Sequence, residues 1–156
     1  MTSYELGLLL HLLGVLVFFG GALVAGVVFD AARRRTRPSE IALLLGVTRI
    51  GVVFVVAGGL LTLAAGLWLA EHVDQLGEPW LQASLGLFLA ALVVGALGGQ
   101  RPKQARRLAS RLAETGDEPP PELRRLLDDR VSLAANYAST ALVLAVLVLM
   151  VLQPGR

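Results

Sequence analysis

With 156 residues the chain is long enough for one domain, and its 17% charged residues fall well short of the about 25% that a soluble domain carries. It has no cysteine, which removes disulfides, thiolate metal sites and cysteine nucleophiles together. The net charge of +2 is spread so unevenly that it reads as a membrane-orientation signal, and nucleic-acid binding is excluded because no soluble reading domain is present.

Four blocks contain no Asp, Glu, Lys or Arg: residues 6–29, 50–70, 80–99 and 131–153. Each has about the ~20 residues that a helix needs to cross ~30 Å of hydrocarbon. Their apolar runs are continuous, whereas a membrane barrel strand alternates polar and apolar positions. A helix also satisfies its own backbone polar groups in lipid. The expectation is an all-α, transmembrane, antiparallel four-helix bundle. It forms a single domain over 1–156, with spans at about 5–29, 48–71, 80–99 and 131–152.

The first helix is expected over about 4–29. Only Glu5 is charged before its apolar core, and a basic cluster follows it. That pattern reads as a retained span and not as a cleaved signal peptide. A basic turn (Arg33, Arg34, Arg35, Arg37) leads to Pro38. The second helix is expected from near Ser39 to Glu71, with Glu40 favourably placed in its first turn. At ~50 Å it outruns the bilayer and should project beyond it or tilt, and Gly58–Gly59 is a candidate bend.

The next connection carries Glu71, Asp74 and Glu78 and no Lys or Arg. Pro79–Trp80 opens the third helix, and Trp68 and Trp80 make a sparse interfacial belt. Residues 104–114 form a basic amphipathic stretch suited to lying on the inner leaflet. Pro119, Pro120 and Pro121 break the chain. A fourth helix is expected from near Glu122 into the last span, ending before Pro154–Gly155. All 14 basic residues except Arg156 fall beside or between the same ends of the blocks. The positive-inside rule then places the connections 30–47 and 100–130 in the cytoplasm and both termini outside (N-out/C-out). The expected location is a bacterial inner membrane, with the lipid bilayer as the obligatory partner and anionic lipid as a partner of the cations.

Small residues mark candidate packing faces: Gly58, Thr62 and Gly66; Ala91, Gly95 and Gly99; Ala22 and Gly26. Their spacing suits contacts within one chain, within a homo-oligomer, or with a membrane partner protein.

Few polar residues enter the blocks. His11 lies about two turns into the first helix, and His72 at the outer end of the second. Both belong to the outer half, and two imidazoles suit haem b or a metal, with Glu71, Asp74 and Glu78 nearby. The alternative is that His11 hydrogen-bonds within the bundle and His72 is solvated. Arg49 lies about one turn inside the second span. Asp30, Asp128 and Asp129 are candidate partners for it. The alternative roles are a snorkelling anchor or an anion contact. Asn136, Tyr137, Ser139 and Thr140 form a polar patch in the last span, with Asn136 and Thr140 on one face. No Asp or Glu lies inside any block, which disfavours proton-coupled export. Met1 and Met150 are too few for a methionine-lined copper path.

The run Leu10-His11-Leu12-Leu13-Gly14-Val15 with Phe18-Phe19-Gly20-Gly21, a basic loop, Arg49 ahead of Gly58–Gly59, and Trp80-Leu81 resembles a family of predicted bacterial four-span membrane proteins of unknown function. More distantly, the His-x-x-Gly and Gly-Gly start of the first helix is similar to copper-resistance protein D and to membrane-bound, haem-linked protoporphyrinogen oxidases. That likeness implies a metal- or haem-binding role for His11. The oxidase-like relatives use a lysine in a later span, and the third block here has none. Three readings follow: a non-enzymatic structural, accessory or self-assembling membrane protein; a haem- or metal-binding redox protein through His11; and an oligomeric transporter or channel lined by Asn136, Thr140 and Arg49.

Overall fold

The computed structural model describes residues 2–116, 118 and 120–154. Arg156, Gly155 and Pro119, which carried sequence expectations, lie outside the described residues. Six helices follow one another: α1 (Ser3–Arg33), α2 (Pro38–His72), α3 (Pro79–Gly98), α4 (Gln100–Thr115), α5 (Pro121–Leu127) and α6 (Arg130–Leu152). There is no strand among the described residues. Four stretches are long and apolar enough to cross a membrane: Ser3–Arg33, Pro38–His72, Pro79–Thr115 and Pro121–Leu152. The protein is therefore all-α with four candidate spans.

α1 opens on a reciprocal cap. The Glu5 N–H donates to Thr2 Oγ1 (3.2 Å), and the Thr2 N–H donates to Glu5 Oε2 (2.8 Å), so two donors orphaned at the helix start are satisfied. Residues 34–37 turn the chain, and Pro38 occupies the first turn of α2. α1 and α2 pack as an antiparallel pair along a glycine seam. A Cβ on Gly14 would lie 2.6 Å from the Thr62 N, and one on Gly21 would lie 2.6 Å from the Gly51 O. A Cβ on Gly58 would collide with the Phe18 backbone. Such backbone proximity is how helices associate in lipid, where no hydrophobic force draws them together. α2 runs unbroken through Gly58–Gly59. The expected bend there is replaced by a contact point, with both glycines buried against α1.

α3 packs on α6 through a second small-residue face. Ser139 Oγ donates across the interface to the Ala91 carbonyl (2.8 Å), and a Cβ on Gly98 would lie 2.7 Å from Asn136 Oδ1. Of the anticipated small-residue faces, Ala91 and Gly95 are used, whereas Gly99 is exposed. Ala22 and Gly26 are also exposed, and nothing approaches Gly26 within 4 Å. The two helix pairs meet at mid-height through Phe18 and Phe88, whose rings lie 5.7 Å apart, with Ala91 and Val143 around them.

The polypeptide after α3 departs from expectation. α4 follows Gly99 directly, and Pro102, which has no N–H to give the preceding turn, lies in its first turn. Its apolar face is not laid on a leaflet. Ala105 and Ala109, both fully buried, pack with Phe29 and Ala32 of α1, Ile41 and Leu45 of α2, and Leu123 and Leu127 of α5. The last helix does not run on from Glu122. α5 ends at Leu127, and α6 starts afresh because Asp129 caps it, accepting from the Ser132 N–H (2.9 Å) and hydroxyl (2.8 Å). These two hydrogen bonds, the backbone one first, hold the Asp129 carboxyl below its ordinary range, with Arg101 contributing.

This end of the molecule is also tied by charge. Arg124 donates to the Arg33 (2.5 Å) and Arg35 (2.6 Å) carbonyls, filling acceptors that α1 leaves open at its C-terminus. Arg33 pairs with Asp128 (2.9 Å), and Arg34 with Asp30 (2.8 Å).

Candidate functional site

The opposite, acidic end is not closed in this way. Between the α1/α2 pair and the α3/α6 pair lies a cleft of about 290 Å³. Tyr4, Val73, Gln75 and Gln153 line its mouth, and Phe88 lies at the level where the two pairs meet. Its walls are largely apolar; besides Tyr4, Gln75 and Gln153 at the mouth, the polar groups that line it are His11 and Thr62 from the first pair and Ser84 and the Trp80 indole from α3.

His11 is half-buried and placed by α2. Its Nδ1 lies 2.9 Å from the Thr62 carbonyl oxygen. A carbonyl can only accept, so Nδ1 carries a proton, and in the neutral form of the ring the lone pair lies on Nε2. Gly66 makes room for the imidazole, since a Cβ there would lie 2.9 Å from His11 Cε1. The Thr62 hydroxyl is occupied within α2, donating to the Gly58 carbonyl (2.8 Å). Ser84 is likewise occupied, donating to the Trp80 carbonyl (2.7 Å). Trp80 lines the same cleft and is 5% exposed. Among the described residues, its Nε1 is the buried side-chain polar atom that has no hydrogen-bond partner. An orphaned buried donor costs about 1–3 kcal/mol.

His72 belongs to a different group. It is exposed and stacked on Trp68 (ring centroids 5.0 Å apart, 16° between planes) and on Tyr4 (6.4 Å, 29°). It lies six residues beyond Gly66 on α2, about 9 Å along the axis, so the structure does not bring the two histidines to a shared contact. Among the described residues no group of three or more His, Cys, Asp or Glu is placed to hold a metal ion.

Arg49 is exposed on α2, and its anticipated partners are engaged elsewhere: Asp30 by Arg33 and Arg34, Asp128 by Arg33, and Asp129 by Ser132. Those acids cluster where α1 ends and α6 begins, and Arg33 of α1 reaches across to Asp128. Asn136 meets Gly98 of α3, while Thr140 is exposed and donates to the Asn136 carbonyl (3.0 Å). Arg49 therefore lies on a different helix pair from Asn136 and Thr140.

Sequence reasoning missed the Trp80 donor and the partnership of His11 with Thr62, because both depend on which helices lie side by side. The α2 side of the seam that positions His11 was anticipated in Gly58, Thr62 and Gly66, all three of which meet α1; the α1 side was missed, although Gly7, Gly14 and Gly21 recur at intervals of seven.

A family profile described as a predicted integral membrane protein (DUF2269) matches residues 6–154. The chain belongs to that family. No curated protein and no solved structure matches it. As a DUF2269 member with four apolar spans, the protein resides in a lipid bilayer. The family description carries no statement about copper-resistance protein D or the haem-linked oxidases.

Proposed function

We propose that this is a non-enzymatic membrane protein that holds a small, mainly apolar molecule in the cleft between its two helix pairs. The observation that carries the reading is His11: its ring is fixed through Nδ1–H to the Thr62 carbonyl, and Nε2 is left unused beside an apolar cleft. Pockets of this kind have apolar walls and a few placed polar groups that orient the ligand. In this reading the basic end, with the α4–α5 cap, faces the cytoplasm, and the cleft opens towards the exterior of a bacterial inner membrane; the excess of Lys and Arg at one end supports that orientation. To test the reading, the full chain is purified into nanodiscs and its bound small molecules are measured by mass spectrometry. The wild type should release one species at near-equal molar ratio that a cleft-filling Leu85→Trp variant lacks. Bulk lipid alone, in the same ratio from both proteins, defeats the proposal.

A second reading is favoured by the same tautomer. A histidine whose Nδ1–H is held by a carbonyl is prepared to ligate through Nε2, and haem b bound there would supply one-electron chemistry. His11 is the residue that would hold it. The fit is partial. The cleft supplies one imidazole, and its about 290 Å³ lies just under the ~300 Å³ lower limit usual for ligand pockets. The macrocycle would enter only if the helix pairs moved apart. Haem titration decides: a Soret band lost in His11→Ala supports this reading, and a featureless spectrum ends it.

A further inference from the structure

The polar groups of the cleft do not choose an occupant, but the charges around its mouth do. Tyr4, Gln75 and Gln153 carry hydroxyl or amide groups that donate as well as accept, and no Lys, Arg, Asp or Glu is among the residues that line the cleft. Resting on the ligand-binding reading above, we infer that the occupant is a cationic amphiphile, with its apolar tail between the helix pairs and a monovalent ammonium group at the mouth.

The connection between α2 and α3 forms one side of the mouth through Val73 and Gln75. It brings three carboxylates with it. Glu71 directly follows Ala70, Asp74 lies between Val73 and Gln75, and Glu78 stands two residues before Trp80, so each is within two residues of the lining. Two residues of chain span at most ~8 Å, about one Debye length at physiological salt. The Glu78 N–H donates to the Gln75 carbonyl (3.0 Å), which closes the turn and keeps Glu78 beside the rim. Among the described residues none of the three carboxylates makes an ion pair, whereas Asp30, Glu40 and Asp128, which do, are at the basic end.

Cations are remote from this rim. Arg49 lies 13 residues before Thr62 on α2, ~20 Å along the axis, and the sequence has no Lys or Arg between it and Arg101. The sequence adds Glu5 and Arg156 at this end, the latter outside the described residues, so four acidic side chains stand against one basic. Low-dielectric walls focus such a field into a cleft. An ammonium group at the mouth is attracted, whereas the carboxylate of a fatty acid or the phosphate of an anionic lipid is repelled. Tyr4 adds a ring of the kind that attracts quaternary ammonium groups. Behind it, Leu8, Leu63, Leu67, Phe88, Val146 and Met150 take the tail. Binding alone is assigned, with no transport.

The test uses the full chain in nanodiscs of one zwitterionic phospholipid and three radiolabelled probes with the same short alkyl chain: an alkyltrimethylammonium, an uncharged alkyldimethylamine N-oxide and an alkyl sulfate. Uptake by empty nanodiscs is subtracted. The ammonium probe should bind about tenfold or more tightly than the sulfate, with the N-oxide between them, and the gap should narrow as salt is raised. The combined variant Glu71→Gln, Asp74→Asn, Glu78→Gln should bring the three probes within about twofold of one another while leaving N-oxide affinity within about twofold of wild type. Asn is suited to position 74, whose φ of 55° it tolerates as Asp does. Neutralising Glu114, Glu118 and Glu122 to Gln removes the same charge at the basic end and should leave the preference intact. Leu85→Trp should abolish binding of all three probes. Equal binding of the probes to the wild type overturns the inference but leaves the cleft a ligand site. A preference that survives the rim variant, in a protein of unchanged helicity, also overturns it. So does ammonium binding undiminished by Leu85→Trp, which would show adsorption to the acidic connection only. If no probe binds, the inference fails, and the mass-spectrometric result above separately decides the wider reading.

Discussion

The basic end and the membrane-embedded middle of this molecule are held together by opposite kinds of residue. At the basic end Ile41, Leu45, Leu123 and Leu127 are 1–2% exposed and fill the space between four helices. In the middle α1 and α2 meet at Gly14, Gly21, Gly51 and Gly58, which carry no side chain, and large rings are used only where the two pairs touch, at Phe18 and Phe88. The difference follows from the solvent. Asp30, Arg33, Arg34 and Glu40 crowd the basic end and cannot reside in hydrocarbon, so that end is surrounded by water. There, each large apolar side chain removed from water adds to stability. Within the bilayer, lipid tails are as apolar as leucine, and exchanging one for the other gains little. Close backbone approach, with its many dispersion contacts, takes over. The acidic end uses neither device fully, and that is why a cleft remains there.

The largest expected effect tests the water-facing side of this contrast. Leu127→Ala should lower unfolding free energy by about 2–5 kcal/mol, the usual cost of truncating a buried leucine. Leu85→Ala, on the cleft wall, should cost less than about 1 kcal/mol, because no closed packing is lost there. Denaturant unfolding in mild detergent measures both, and equal losses would remove the distinction between a packed cap and an open cleft.

A smaller effect tests the seam. In Gly58→Ala the new methyl group meets the Phe18 backbone, which cannot turn aside as a side chain can, and about 1–3 kcal/mol should be lost. Gly26→Ala places its methyl group in open space and should be neutral or gain up to about 1 kcal/mol of helix propensity. The same unfolding assay reads both variants. A harmless Gly58→Ala would mean that the α1/α2 contact does not depend on glycine.

The four spans were legible in the sequence because apolar blocks of bilayer length are a one-dimensional signal. The cap was not. Residues 104–114 show an apolar face of Ala105, Leu108 and Leu112, but a face does not say whether lipid or protein covers it, and the ends of α1 and α2 together with α5 supply the cover only in the folded chain. The break before α6 was written in Asp128–Asp129 and Ser132, a cap three residues long that the expected continuity of the last helix concealed. Of the candidate site, His11 was visible as a polar residue among leucines. Its partner Thr62 is 51 positions away, and only the register of the α1/α2 seam selects it. Trp80 read as an interfacial belt residue, and nothing in its neighbours along the chain announces a buried, unpartnered N–H.

The smallest expected effect lies at the entry to α6, where the cap also carries a titrating group. The Asp129 carboxylate accepts the Ser132 N–H and O–H, and these bonds lower its pKa relative to the unfolded chain. The sign follows from proton linkage. Below its ordinary range near ~4 the unfolded form takes up a proton before the folded form does, so the contribution is complete above that range and is lost as pH falls through the lowered value. Asn caps a helix nearly as well as Asp and does not titrate in this range. Asp129→Asn should therefore match the wild type at neutral pH and lose less thermal stability on acidification below ~4. The thermal midpoint of both proteins, followed from pH 7 downwards, checks this. Parallel acid profiles would show that the cap contributes no charge-dependent stability, and that the start of α6 is held by the α4–α5 packing against Leu133 alone.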